Sequence, residues 1–351
     1  MMATVCRPGR RPAPWPEREL HDTMVVMRFL LIANPASGGA RMDSKVRAAL
    51  SYFEEHADSV DLRYTEHPGH ATSIARDGAA RGYDAIIGAG GDGTINEVLN
   101  GIVGTSVKLG ILPWGTGNVF AKEMRISGRI EEQCELIRKN KAIGLDCGRC
   151  GPKHFLLMGS AGFDAYALRR AGRLPLKSKF GVSAYLFAAL GAFSRYKYPA
   201  IDVRVDDATA DTGTFVLVSN TRLYGSFFIF NPEADPTDGL LDVFVFREAS
   251  PWSLIKLVSR LALRAFLRGI KLPDPYRALH HGRYRARRVE LSSASEIAMQ
   301  VDGDVVSGIG TVFEAVPAAV RVILPRKTRK RLKKMRKRRN FDRDAKPQPD
   351  P

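Results

Sequence analysis

The chain has 351 residues, of which 44% are apolar and 26% charged, with a formal net charge of +17. That length and apolar content suffice for two domains with cores of their own, and the longest apolar stretch, residues 185–193, is about half of the roughly 20 residues a membrane-spanning helix requires. The charge is uneven: residues 326–340 hold eleven Lys or Arg and no acid, residues 341–351 carry −1, and +7 is left for residues 1–325. In chain order, residues 1–23 come first, with four prolines and Arg7, Arg10 and Arg11 but no apolar h-region. They read as a disordered leader and not as a secretory signal.

Residues 24–145 alternate strand and helix, the pattern of an α/β layer on a parallel sheet. An apolar run over 29–33 predicts a strand that leads into the loop Asn34-Pro35-Ala36-Ser37-Gly38-Gly39, with a helix from about Asp43. A second strand over 85–89 runs into Gly90-Gly91-Asp92-Gly93-Thr94; Ile95, Val98, Leu99 and Ile102 then recur at helical spacing. A third strand, 108–112, runs into Pro113-Trp114-Gly115-Thr116-Gly117-Asn118, and 119–124 opens another helix. Cysteines 6, 134, 147 and 150 form no disulfide framework, which fits a reducing cytoplasm, and Cys147-Gly148-Arg149-Cys150 reads as a tight turn between strands. Residues 146–325 change texture. Short strands over 154–158, 201–205, 213–219, 241–246, 288–291, 297–301 and 318–324 predict a mainly antiparallel second domain, interrupted by helical segments over 178–194 and 253–268. Residues 326–351 form a basic tail with three readings: a solvated disordered extension, a hold on an anionic membrane leaflet, or contact with a nucleic-acid backbone, the last without any recognition module beside it.

Loops at the carboxyl ends of parallel strands share one rim of the sheet, so the three polar, Gly-rich loops are expected to converge on one ligand. Glycines where a strand becomes a helix let backbone approach a phosphate, and the first N–H groups of the helix attract an anion. The carboxylate of Asp92 would repel a bare phosphate; its presence implies a divalent cation or a hydroxyl to be held. Asp302-Gly303-Asp304 and Asp235-Pro236-Thr237-Asp238-Gly239-Leu240 need be no more than turns on their own.

Taken together, Asn34 to Gly39, Gly90-Gly91-Asp92-Gly93-Thr94-Ile95-Asn96-Glu97, Gly115-Thr116-Gly117-Asn118, Asp238-Gly239-Leu240-Leu241-Asp242 and Asp302-Gly303-Asp304 resemble the diacylglycerol kinase catalytic-domain family. This family includes bacterial lipid kinases similar to diacylglycerol, sphingosine and ceramide kinases. The resemblance runs from about Met27 to about Pro325. It implies a nucleotide domain like those of NAD kinases and phosphofructokinases, a β-sandwich-like lipid domain, and an active site in the cleft between them, with the last strand free to return to the first domain.

The resemblance also distributes roles. ATP is expected on Asn34, Ser37, Thr65, Gly90, Gly91, Gly93, Thr94, Asn96, Gly115, Thr116, Gly117 and Asn118. Asp92 is expected to organise Mg2+ or the acceptor hydroxyl. Asp304 stands where many relatives carry a glutamate that accepts the proton, shorter by one methylene, so Asp302 stays beside it as a candidate. A structural Mg2+ is implied at Asp238, with Asp235 and Leu240 contributing carbonyls. Asp164 is a candidate for the lipid headgroup, or equally a helix N-cap. Val119 stands where several relatives have an aspartate, which argues against assuming diacylglycerol as acceptor. The expected activity is phosphoryl transfer from Mg-ATP to a lipid hydroxyl by a cytoplasmic protein peripheral to the inner membrane face, with an anionic surface as partner and a homodimer left open. The rivals are a soluble kinase of the NAD kinase type and a non-catalytic lipid-binding protein.

Overall fold

Apolar runs that end in polar loops build the first sheet. In the computed structural model, which describes residues 26–172, 196–207, 209–225, 228–250, 252–253, 255–256, 259–260, 263, 281–306 and 311–344, β1 (Arg28–Ala33) lies between β2 (Ser59–Tyr64) and β3 (Ala85–Gly90). β3 in turn pairs with β4 (Lys108–Pro113), and all four strands are parallel. The connecting helices are α1 (Pro35–Gly38), α2 (Met42–Glu55), α3 (His70–Ala79), α4 (Asp92–Ile102), α5 (Val119–Met124) and α6 (Ile130–Arg138). β3 is buried throughout, as a strand covered on both faces must be. On one face Phe29, Leu31 and Ile87 meet Val46, Ala49 and Phe53 of α2. On the other, Ile32 and Ile86 meet Ala75 of α3 with Val98 and Leu99 of α4. Parallel pairing sets the strand exits at Ala33, Tyr64, Gly90 and Pro113 along one rim.

The chain continues through β5 (Ala142–Cys150), β6 (Lys153–Phe155), β7 (Met158–Gly162), α7 (Phe163–Gly172), β8 (Ile201–Val205), β9 (Thr209–Gly213) and β10 (Phe215–Ser219). Then come β11 (Leu223–Tyr224), β12 (Phe228–Ile229), β13 (Leu241–Phe246), β14 (His281–Ala286), β15 (Arg288–Ser292), β16 (Met299–Val301), β17 (Asp304–Val306), β18 (Val312–Ile323) and a final helix α8 (Arg326–Asp344). β18 returns to the first sheet, where Arg321 and Val322 pair parallel with Lys108 and Leu109, while its first residues pair antiparallel with β15. β5 follows β18 along both halves, so the boundary expected at residue 145 falls inside a continuous strand. The second sheet, β14-β13-β10-β7-β16-β17, faces the extended part of the first. Ile201, Val203, Phe313 and Phe155 pack there on Val216, Val218, Val243 and Val301. Phe215 and Leu217 alternate to the opposite face of β10 and join the core of the first domain.

Several local expectations change. The strand expected over 154–158 breaks into β6 and β7, because the N–H groups of Leu156 and Leu157 are taken by the carboxylate of Asp302. Cys147-Gly148-Arg149-Cys150 is no turn but the end of β5, and its two thiols fall in different cores. Gly148 is required there because a Cβ would collide with the ring of Phe155. The disordered tail predicted from residue 326 is instead helix α8, with Thr328 and Leu332 buried one turn apart. Lys and Arg are good helix formers, and two small anchoring positions suffice to dock a run that otherwise reads as pure charge. The helix expected over 178–194 lies outside the described residues, as do the leader and most of 253–268, whose described residues are helical.

Candidate active site

The rim loops are tied to one another by hydrogen bonds. Asn34 donates from Nδ2 to Thr94 Oγ1 at 3.0 Å and accepts on Oδ1 from Ala36 N at 3.0 Å, joining the first loop to the start of α4. Thr65 N donates to the Ala33 carbonyl at 2.9 Å, which holds the β2 exit beside the first loop. Gly115 N and Trp114 N both donate to the Gly90 carbonyl, at 3.0 and 2.9 Å. A Cβ on Gly115 would overlap the Gly91 Cα, so these two loops can lie backbone on backbone only with glycine here. Asn118 closes the third loop, donating to the carbonyls of Pro113 at 2.8 Å and Gly115 at 2.7 Å. Ser37 is half-buried, Thr116 exposed, and Gly117 lies where a Cβ would come within 3.1 Å of Asp92 Oδ2.

Asp92 is committed. Its Oδ2 accepts from Val119 N at 2.9 Å and its Oδ1 from Phe120 N at 3.1 Å, so this first-turn residue of α4 caps the start of α5. Asn118, the residue before α5, is left-handed with φ 49° and does not cap that helix itself. The start of α4 has no side-chain cap, and Gly93 beside it is exposed with open space where a Cβ would be. Unfilled helix-terminal N–H groups in a rim of glycines fit a phosphate chain.

The turn between β16 and β17 comes to this rim through Asn96. From the first turns of α4, Asn96 Nδ2 donates to Asp302 Oδ2 at 2.9 Å and to the His154 carbonyl at 2.9 Å. Asn96 is therefore a strut between the domains and not only a neighbour of the nucleotide loop. Asp302 also accepts from the N–H groups of Leu156, Leu157 and Met158 at 2.8, 3.0 and 2.9 Å. Although the residue is partly exposed, its carboxylate is enclosed by protein, and desolvation pushes it up to about 6 against the pull of those donors. Asp304, two residues on, is exposed, and its Oδ2 lies 3.1 Å from Lys153 Nζ.

Beneath the same turn lies a buried polar group. Asp164 accepts on Oδ2 from Ser160 Oγ at 2.6 Å and from Tyr224 OH at 3.0 Å, and burial raises its carboxyl. Gln300 Nε2 donates to Ser160 Oγ at 2.8 Å, while Gln300 Oε1 accepts from Gly303 N at 2.8 Å. Asp164 thus sits in the first turn of α7 inside a network that reaches the Asp302-Gly303-Asp304 turn. Sequence reading missed both Lys153 and Gln300. A glutamine inside the apolar run Met299-Gln300-Val301 was the available signal for one; nothing local marks Lys153.

The segment expected to hold structural Mg2+ has other partners. Asp238 accepts on Oδ1 from Leu240 N at 3.0 Å and forms an ion pair through Oδ2 with Arg285. Asp235 accepts from Thr237 N and Oγ1 at 3.1 and 2.7 Å, and Gly239 N donates to Asp146. Among the described residues no group of three His, Cys, Asp or Glu stands close enough to hold a metal ion. Arg285 thus stands at the Asp238 carboxylate, where the resemblance implies the ion.

Residues 28–150 match the diacylglycerol kinase catalytic domain, and residues 158–324 match the YegS C-terminal NAD kinase beta sandwich-like domain. A Pseudomonas putida protein named probable lipid kinase YegS-like is 30% identical over 292 residues, covering 82% of this chain and 93% of the relative. The diacylglycerol kinase of Bacillus subtilis is 26% identical, covering 87% and 99% of the two chains. A crystal structure of a diacylglycerol kinase from Bacillus anthracis superposes with a TM-score of 0.63 at 21% identity, over 86% of this chain and 98% of the other, and shows the same fold.

Proposed function

This chain belongs to the diacylglycerol kinase catalytic-domain family of lipid kinases, and we propose on that basis that it transfers the γ-phosphate of Mg-ATP to a hydroxyl of diacylglycerol, a sphingoid base or ceramide, or a related lipid. The observation that carries this reading is the 2.9 Å bond from Asn96 to Asp302, because it fixes the β16–β17 turn to the helix whose N-terminus faces the rim loops. On this reading the rim loops hold the phosphate donor and the β16–β17 turn supplies the base.

In this reading the rim glycines and the uncapped start of α4 receive the phosphates. Asp92 holds the third loop in register through α5 by one hydrogen bond to each oxygen, and its remaining lone pairs face the loops where Mg2+ would accompany the nucleotide. Bound with ATP, it would neutralise charge on the transferring phosphoryl group. Asp304 takes the proton of the acceptor hydroxyl. The acceptor oxygen bonds to the γ-phosphorus, the bond to the bridging oxygen breaks, and ADP leaves. Lys153 Nζ, 3.1 Å from Asp304 Oδ2, holds that carboxylate in place, and Asp302 positions the turn. A protein working on lipids at the cytoplasmic membrane face as a peripheral enzyme is supported by the family and by the basic C-terminal helix; among the described residues no helix is long and apolar enough to cross a membrane.

The test is transfer of labelled γ-phosphate into the organic phase of a total lipid extract, wild type beside Asp304→Asn. The expected result is a labelled lipid whose formation falls by about 10²–10⁴-fold in the variant, the usual worth of a general base. Label appearing only in water-soluble products would move the reading to a soluble acceptor, and label unchanged in the variant would remove Asp304 as the base.

A further inference from the structure

Helix α8 lies beyond the residues that match the two family domains. Its faces differ sharply. Thr328 and Leu332 are buried, and Arg331 between them is half-buried. Thr328 Oγ1 donates to the Met124 carbonyl at 2.6 Å, and Arg331 Nη2 donates to the Glu123 carbonyl at 3.3 Å. The carboxylate of Glu123 is also gripped by Arg222 at 2.8 Å. This face is therefore bolted to the last turn of α5, the helix whose first turn is capped by Asp92.

The opposite face carries Arg326, Lys327, Lys330, Lys333 and Lys334, all exposed and without an ion pair among the described residues. At 100° per residue these five fall within about a third of the helix circumference. Residues 326–340 supply no acid to offset them. A cluster of like charges on one rigid face costs repulsion that an anionic surface would relieve.

We propose that this face docks α8 on an anionic lipid bilayer, and so sets α5 and the Gly115-Thr116-Gly117-Asn118 loop in a fixed orientation to the leaflet that supplies the acceptor. The inference rests on the lipid-kinase reading for its purpose, though not for its charge or geometry. It differs from a loose tethering tail: the attachment is a helix packed on the nucleotide domain, and docking there constrains the whole catalytic cleft.

Deleting residues 326–351 would strip cover from the α5 face, so the informative variant keeps the helix and replaces Lys327, Lys330, Lys333 and Lys334 with Gln. Its control, Arg47→Gln with Arg63→Gln, Arg76→Gln and Arg81→Gln, removes the same charge from other exposed positions. Full-length proteins are sedimented with vesicles of phosphatidylcholine alone or mixed with phosphatidylglycerol. Each basic residue near such a surface is worth about a fivefold factor. The face variant is therefore expected to bind the anionic vesicles about 600-fold more weakly if the four factors multiply, with the control close to wild type and neutral vesicles binding none of the three. Equal losses in variant and control, or unchanged binding by the variant, would overturn the proposal. So would tighter binding of short duplex DNA than of anionic vesicles, lost in the same variant. Phosphorylation of lipid in neutral detergent micelles, which offer no anionic surface, separates the two readings. If no protein labels lipid there while the face variant alone loses vesicles, the kinase reading fails and the docking stands.

Discussion

Asp302 shows how much of a fold one side chain can hold together. Its two oxygens collect three backbone N–H groups and the Asn96 amide, which breaks one expected strand into two and pins the β16–β17 turn. Burial pushes its carboxyl up to about 6, above the roughly 3.9 of an unfolded aspartate. A group that holds its proton more tightly when folded stabilises the fold fully below pH ~4 and loses that contribution as pH rises through about 6. Urea unfolding at pH 4 and pH 7 should therefore show the wild type losing up to about 3 kcal/mol more than Asp302→Asn over that interval. A pH dependence shared by the variant would mean that other buried carboxyls, such as Asp146 and Asp242, which burial also raises to about 6, carry the effect.

At the level of elements, the nucleotide rim depends on two glycines in opposite ways. Gly115 is needed by the protein itself, since a Cβ would meet the backbone of Gly91. Gly93 faces open space, so its smallness serves whatever binds there. Gly93→Ala should leave the melting temperature unchanged or slightly raised, alanine being the better helix former, and lower ATP affinity at least about tenfold, since the added methyl excludes the close approach of phosphate to backbone. Gly115→Ala should cost about 1–3 kcal/mol of stability by overpacking as well as affinity. Calorimetric melting and nucleotide titration on the two proteins distinguish these cases; a Gly93→Ala protein that binds ATP normally would place the phosphates elsewhere.

For the whole molecule the question is how the two domains act as one. β5 and β18 run through both, and Asn96 joins α4 to the β16–β17 turn and to the His154 carbonyl. Replacing Asn96 with Ala leaves Asp302 and the His154 carbonyl each short of a donor, at a cost of about 1–3 kcal/mol. If Asn96 is a strut, kcat falls by tenfold or more while ATP affinity stays within about threefold, because the donor loops remain intact and only the base is displaced. A matching loss of ATP affinity, read by titration beside turnover, would instead make Asn96 a direct nucleotide contact.

The sequence alone determined the local matters. Strand exits into glycine loops are written in contiguous residues, because periodicity and backbone freedom act over a few positions, and that made the three rim loops and the antiparallel second domain readable. The motifs from Asn34 to Asp304 carried the family for the same reason. What only the tertiary structure decided lies between residues far apart in the chain. Asp92 is 27 residues from the N–H it caps, Asn96 is 206 residues from Asp302, and Lys153 is 151 residues from Asp304. A run of charge becomes a docked helix only where the carbonyl of Met124 accepts from Thr328, the carboxylate of Glu123 accepts from Arg331, and Leu332 is buried beside them. Hydrogen bonds and packing act over a few ångströms of space whatever their separation in sequence, so these partnerships have no local signature to read.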